Sequence, residues 1–156
     1  MNIQTSTDAQ LDDNIGLKIA IEEAKKSLTE NALISSTGEV LARSHNLAWQ
    51  KMSPIFHAEM ATFDAAGHVS KAVYRLATLY TTLTPCDMCT GAILWFGVGR
   101  VVMGEAKSVG GGGHDILRSR GVEVMDMDSE ECYEMLQKFM KDHPDRWKNP
   151  SKIACN

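Results

Sequence analysis

Apolar residues first recur at helical spacing between residues 13 and 28, where Ile15, Ile19, Ala20 and Ala24 share a face and Glu22 and Glu23 stand about one turn from Lys25 and Lys26. This predicts an amphipathic first helix, after a polar, aperiodic lead-in over residues 1–12 that is expected to be disordered. The period then shortens. Residues 31–35 and 40–45 flank Ser36-Thr37-Gly38 and predict a β-hairpin. A second helix is predicted from His57 to Gly67, with Met60, Ala61 and residues 63–65 as its packing positions and the glycine as its stop. Residues 77–83, apolar and threonine-rich, predict a third strand. Thr84 and Pro85 then read as the N-cap and first position of a third helix, which continues through Ile93, Leu94 and Trp95 to Gly97. Residues 100–104 and 122–125 predict two more strands, separated by a glycine-rich loop and a short helix over 115–120. A last helix should start at Asp128, with Glu131 as its capping partner, and turn Cys132, Leu136, Phe139 and Met140 inward. Pro144 should end it, leaving Trp147 on an irregular tail.

Strands interleaved with helices after an opening hairpin imply an α/β chain, folded as a three-layer α/β/α sandwich on a mixed five-stranded sheet. No linker or internal repeat divides residues 1–156, so one domain is expected. With 156 residues, 44% apolar and 23% charged, the chain can bury a core without disulfide staples. A formal net charge of −4 argues against a surface built to hold a nucleic-acid backbone and favours a small neutral substrate. An apolar run of about 18 residues is missing, as is a basic-then-apolar leader, so neither membrane nor secretion is expected. The expected location is the cytoplasm, with the nucleus left open. Ala154-Cys155-Asn156 matches no lipidation or peroxisomal address. Cys132 fits a core thiol and Cys155 a loose tail residue.

Two short segments carry the chemistry: His57-Ala58-Glu59 and Pro85-Cys86-Asp87-Met88-Cys89. One imidazole and two thiols make three ligands for a tetrahedral zinc and leave the fourth position open, as in catalytic rather than structural sites. Glu59, two residues from the histidine, can stand beside that position as a proton carrier without ligating the metal. Alone, His-x-Glu arises by chance on solvated helices, and Cys-x-x-Cys can be a redox couple. In this order, with proline before the first cysteine, they form the signature of the zinc deaminases of nucleobases. Gly110–Gly113 lacks the Lys-Ser/Thr that a phosphate loop requires and reads as a flexible surface loop.

The run Leu79-Tyr80-Thr81-Thr82-Leu83-Thr84-Pro85-Cys86-Asp87-Met88-Cys89-Thr90-Gly91-Ala92-Ile93, with Ile21-Glu22-Glu23-Ala24 before it and Trp147 after it, resembles the cytidine deaminase superfamily and within it the fungal cytosine deaminases. The resemblance implies zinc held by His57, Cys86 and Cys89, proton transfer by Glu59, and a homodimer. It also implies hydrogen bonding of a pyrimidine ring by Asn46, which on its own would read as a turn residue at a strand end. The tail bearing Trp147 is expected to close over a small pocket. Three departures stand out. A Gly-Gly-Val-Pro-Ile-Gly-Ala type segment before the first strand is shortened, so that Leu28-Thr29-Glu30 runs directly into Asn31-Ala32-Leu33. Val109 and the glycine run stand where an aromatic residue packs on the base. Lys148, Asn149 and Pro150 follow Trp147 in place of a carboxylate.

These residues predict a zinc-dependent hydrolytic deaminase of a free nucleobase or small amino-heterocycle, with cytosine going to uracil and ammonia as the leading reaction. Two alternatives stay open: a deaminase of a different amino-heterocycle or an amidine, and a non-catalytic zinc-stabilised binding protein of the same fold. Retention of Glu59 speaks against the second, because a structural zinc has no use for that carboxylate. A thiol oxidoreductase is a more distant third.

Overall fold

The structure, a computed structural model, describes residues 12–25, 30–109 and 112–148. Its elements in chain order are α1 (Asp13–Ala24), β1 (Glu30–Ile34), β2 (Val40–His45), α2 (Ala58–Ala66), α3 (Lys71–Leu76), β3 (Thr78–Leu83), α4 (Asp87–Phe96), β4 (Arg100–Glu105), α5 (Gly113–Ser119), β5 (Glu123–Asp126), α6 (Glu130–Asp142) and α7 (Pro144–Lys148). The five strands form one mixed sheet in the order β2-β1-β3-β4-β5. β1 is antiparallel to both β2 and β3, while β3, β4 and β5 run parallel.

Alternation along the central strands divides the core into two layers. Leu33, Leu79 and Val101 face one side and pack with Phe63, Tyr74, Ile93 and Leu117 from α2, α3, α4 and α5. Ile34, Tyr80 and Val102 face the other side, against Leu17, Ala20 and Ile21 of α1 and Cys132 of α6. Helices therefore cover both faces, which is why β3 and β4 are buried along nearly their whole length. Helix α1 is held by charge as well. Arg100 reaches Asp13 through both terminal nitrogens, at 2.6 and 2.7 Å, and the Tyr80 hydroxyl donates to the same carboxylate at 3.1 Å. Gly16 makes this docking possible, since a β-carbon there would collide with the Tyr80 ring.

Several sequence expectations shift. Helix α1 gives way at Lys25, and the predicted extension falls on residues 26–29, outside the described residues, as does the lead-in over 1–11. Ile15 is exposed; the buried face of α1 runs through Leu17, Ala20, Ile21 and Ala24. On α2, Asp64 and Ala65 point to solvent, Asp64 pairing with Lys51. Helix α3 was not anticipated: at six residues it is shorter than two helical turns, and it buries Tyr74 alone. Helix α5 begins two residues earlier than expected, at Gly113, and β5 one residue later, at Glu123. Ser129, not Asp128, caps α6, its hydroxyl accepting from Cys132 N–H. Asp128 lies at φ 47°, outside the N-cap conformation. Phe139 and Met140 are half-buried, and the inward positions of α6 are Cys132 and Leu136. Pro144 opens α7, a place where its missing N–H costs nothing, so Trp147 lies on a helix and not on an irregular tail.

Candidate metal and active site

The end of the sheet where β2 and β3 finish gathers the chemistry-bearing residues. β2 delivers the segment that starts at Asn46, and the chain returns through Leu47 N–H to Phe56 O and His57 N–H to Ile55 O, which hold both ends of the excursion. His57 is the N-cap of α2, extended at φ −60° and ψ 165°, and makes no side-chain cap hydrogen bond, so its ring is free to face α4. Cys86 plays the same part for α4, at φ −72° and ψ 173°, with its carbonyl accepting from Thr90 N–H at 2.8 Å. This corrects the expectation that Thr84 caps the helix and Pro85 opens it: both lie upstream, and the first helical residue is Asp87. Cys86 and Cys89 thus occupy the N-cap and N3 positions, whose side chains meet at a helix start in the way a capping box uses.

The three expected ligands converge. His57 Nδ1 lies 3.4 Å from Cys86 Sγ and 3.7 Å from Cys89 Sγ. All three ligand atoms lie within 4.8 Å of one another. Bond lengths of about 2.0 Å to nitrogen and 2.3 Å to sulfur, at tetrahedral angles, place the N and S ligands of one zinc about 3.5 Å apart. The set therefore fits a zinc ion in both ligand chemistry and size. Cys89 is fully buried, while His57 and Cys86 are half-buried, leaving one open side.

The electrostatics suit that role. The Cys86 thiol is brought down to about 4, first by the hydrogen bond from Cys89 and then by His57, against the opposing effect of burial. Cys89, the donor in that pair, is pushed up by the same hydrogen bond and by burial. The His57 imidazole is raised, chiefly by its contact with Cys86. A dication held by both sulfurs would favour both as thiolates. Glu59, in the first turn of α2, is buried at 7% exposure. Burial holds its carboxyl above the usual carboxylate range, against its backbone hydrogen bonding and the Cys89 contact.

Residues 12–105 match the family described as the cytidine and deoxycytidylate deaminase zinc-binding region. The chain is 43% identical over 142 residues to a cytosine deaminase of Candida albicans, a match covering 87% of this chain and 94% of that protein. The chain belongs to this deaminase family. It is also 35% identical over 145 residues to a tRNA-specific adenosine deaminase of Bacillus subtilis, covering 83% of this chain and 89% of that protein. A solved structure from a study of A-to-I editing by tRNA:A34 deaminases at the wobble position of transfer RNA superposes with a TM-score of 0.67 at 24% identity, over 79% of this chain and 99% of that one, and supports the fold. The deaminase sheet and helices match those neighbours, and its cofactor is zinc.

Asn46 and Trp147 stand differently from the zinc ligands. Asn46 lies at the end of β2, where its side-chain oxygen accepts from Ala48 N–H at 3.0 Å, the turn chemistry its residue type suggests. Trp147 is half-buried on α7, and its neighbour Arg146 lies over the Trp49 ring at 5.4 Å. That contact docks α7 onto the segment running from Asn46 to His57. Two features near the thiol turn escaped the sequence reading. Glu105 ends β4 fully buried, its Oε2 accepting from Lys107 and Ser108 N–H. His114 Nδ1 lies 3.3 Å from Thr84 Oγ1. Neither residue has a spacing or composition signal of its own; each is placed by a contact across the fold.

Proposed function

We propose that the whole chain is one catalytic unit, a zinc-dependent hydrolytic deaminase of a free nucleobase or small amino-heterocycle, with cytosine to uracil and ammonia as its leading reaction. The observation that carries this is Glu59, a carboxyl buried in the first turn of α2 beside a ligand set that matches zinc. A structural site would leave such a group as a cost without return. His57, Cys86 and Cys89 hold the metal in this reading, and zinc supplies Lewis acidity that makes water a nucleophile near neutral pH. Glu59 accepts the proton of the attacking water and delivers it to the ring nitrogen. As the C–O bond forms, the new hydroxyl gives its remaining proton to Glu59, which passes it to the amine; the carbonyl forms, the C–N bond breaks and ammonia departs. The raised proton affinity of Glu59 suits a group that must hold a proton between these transfers. Asn46 hydrogen-bonds the ring, and α7 with Trp147 covers it.

The likeness to the Candida albicans cytosine deaminase supports cytosine. The likeness to tRNA-specific adenosine deaminases supports a nucleic-acid substrate, but the net charge of −4 weighs against a phosphate-backbone surface. Val109, half-buried after β4, offers no aromatic face, and no carboxylate follows Trp147 before Pro150. Each missing buried contact is worth about 1–3 kcal/mol, so cytosine turnover should be weak and a heterocycle of another shape better. Ammonia release from cytosine, cytidine, other amino-heterocycles, single-stranded DNA and tRNA is the test. The expected result is preference for a free base, with kcat/KM on cytosine below about 10⁴ M⁻¹s⁻¹. A higher value would show that the departures are compensated, and faster turnover of a nucleoside or polynucleotide would reverse the substrate assignment.

A further inference from the structure

The first turn of α4 carries two of the three metal ligands yet has little of its own to fix it. Cys86 makes no side-chain cap, and Pro85 has no N–H to donate. What holds this turn comes from elsewhere in the chain. Thr84 N–H donates to Glu105 O at 3.0 Å, tying the turn to the end of β4. Thr84 Oγ1, on a residue 4% exposed, meets His114 Nδ1 at 3.3 Å. Gly113, buried as the first residue of α5, lies so close that a β-carbon there would overlap the Pro85 carbonyl oxygen and come within 2.6 Å of Thr90 Oγ1. The glycine run, read from sequence as a surface loop, therefore ends in a packing contact.

We infer that His114, Thr84 and Gly113 form a latch that positions the Cys86–Cys89 turn for metal binding, with His114 as its positioning residue. Glu105 closes the arrangement, because its backbone carbonyl holds Thr84 while its side chain folds back the Lys107–Ser108 backbone that leads toward α5. Thr84 Oγ1 and His114 Nδ1 share one hydrogen bond whose direction follows the imidazole tautomer, and the Asp115 carboxylate lies 3.7 Å from His114 Nε2. Releasing the latch lets the turn carrying Cys86 move relative to His57. Groups that orient ligands in this indirect way change metal affinity by about 10–100-fold.

The inference rests on Cys86 and Cys89 being zinc ligands, and the experiment separates the two questions. Zinc affinity is measured on the full chain by competition with a chromophoric chelator, alongside the Co(II) absorption spectrum and Tm, with Cys86→Ala as control. His114→Ala and Thr84→Val should each weaken zinc binding by about 10-fold or more and alter the thiolate-to-Co(II) band. His114→Asn, whose amide can reach the Nδ1 position, should recover most of the loss. The double variant should lose no more than either single one, since both break the same link. Zinc affinity within twofold of wild type in both single variants, with unchanged Co(II) spectra, overturns the latch. A wild-type chain that binds neither metal overturns the ligand assignment instead.

Discussion

Glu59 bears two opposed demands. In the proposed reaction its carboxyl exchanges protons during turnover, yet burial raises its proton affinity and makes its charged form costly. A group raised in this way contributes stability below its unfolded pKa and loses it as pH rises through its folded value. Glu59→Gln should therefore leave Tm at neutral pH unchanged or higher, keep zinc, and lower kcat by about 10²- to 10⁴-fold. A variant with more than about a tenth of wild-type turnover would rule out the proton-carrier role. Cys86 and Cys89 show how residue type and position combine. Spacing alone places the sulfurs near each other, but the extended backbone at Cys86 aims its sulfur away from the helix toward His57.

Helix α1 is bound to the sheet by a partly buried polar network as well as by its apolar face. Arg100 is 8% exposed and reaches both Asp13 and Glu123. Its guanidinium holds the Asp13 carboxyl below the usual range. That contribution is present above the unfolded aspartate pKa of about 3.9 and is lost as pH falls through the folded value. Tyr80 is displaced the opposite way, pushed up to about 12 by burial and by Asp13. Its contribution is complete below about pH 10 and is lost toward pH 12. Unfolding measured from pH 2 to 12 should show both limbs, with the acid limb reduced in Asp13→Asn and the alkaline limb reduced in Tyr80→Phe. Asp13→Ala, which leaves Arg100 with Glu123 alone, should cost about 1–3 kcal/mol. Unchanged pH profiles in both conservative variants would mean that α1 is held by apolar packing alone.

Across the whole molecule, α4 presents Met88 and Trp95 to solvent, Trp95 at 75% exposure, and α3 exposes Val73 and Leu76 and sets Lys71 over the Trp95 ring. The homodimer implied by the family resemblance is proposed to bury these apolar side chains. Sedimentation of the wild type should then show a dimer, and Trp95→Glu should shift it toward monomer. Because α4 also carries the thiol turn, that variant should lose activity along with its partner. A monomeric wild type at micromolar concentration, or a Trp95→Glu variant that remains dimeric, would place the interface elsewhere or remove it. Among the described residues, no helix is long and apolar enough to cross a membrane.

The amino-acid sequence by itself singled out His57, Cys86 and Cys89 as candidate ligands and Glu59 beside them, and determined the alternation of strands and helices and the mixed sheet. Each depends on residue type at short spacing: zinc requires nitrogen and thiolate donors, and periods of two and 3.6 residues show which face is buried. Helix α3 and the start of α7 stayed below that threshold, being too short for a period to show. The cap at α4 was misread because proline suits both the first helical position and the residue before a cap. Other features depend on residues far apart in the chain. Asp13 meets Arg100 across 87 residues, and Thr84 meets His114 across 30. No local pattern encodes such pairs, because any one of many distant side chains could satisfy the same hydrogen bond. Only the packing of helices against the sheet selects the partner, and with it the rigidity of the turn that presents the thiols.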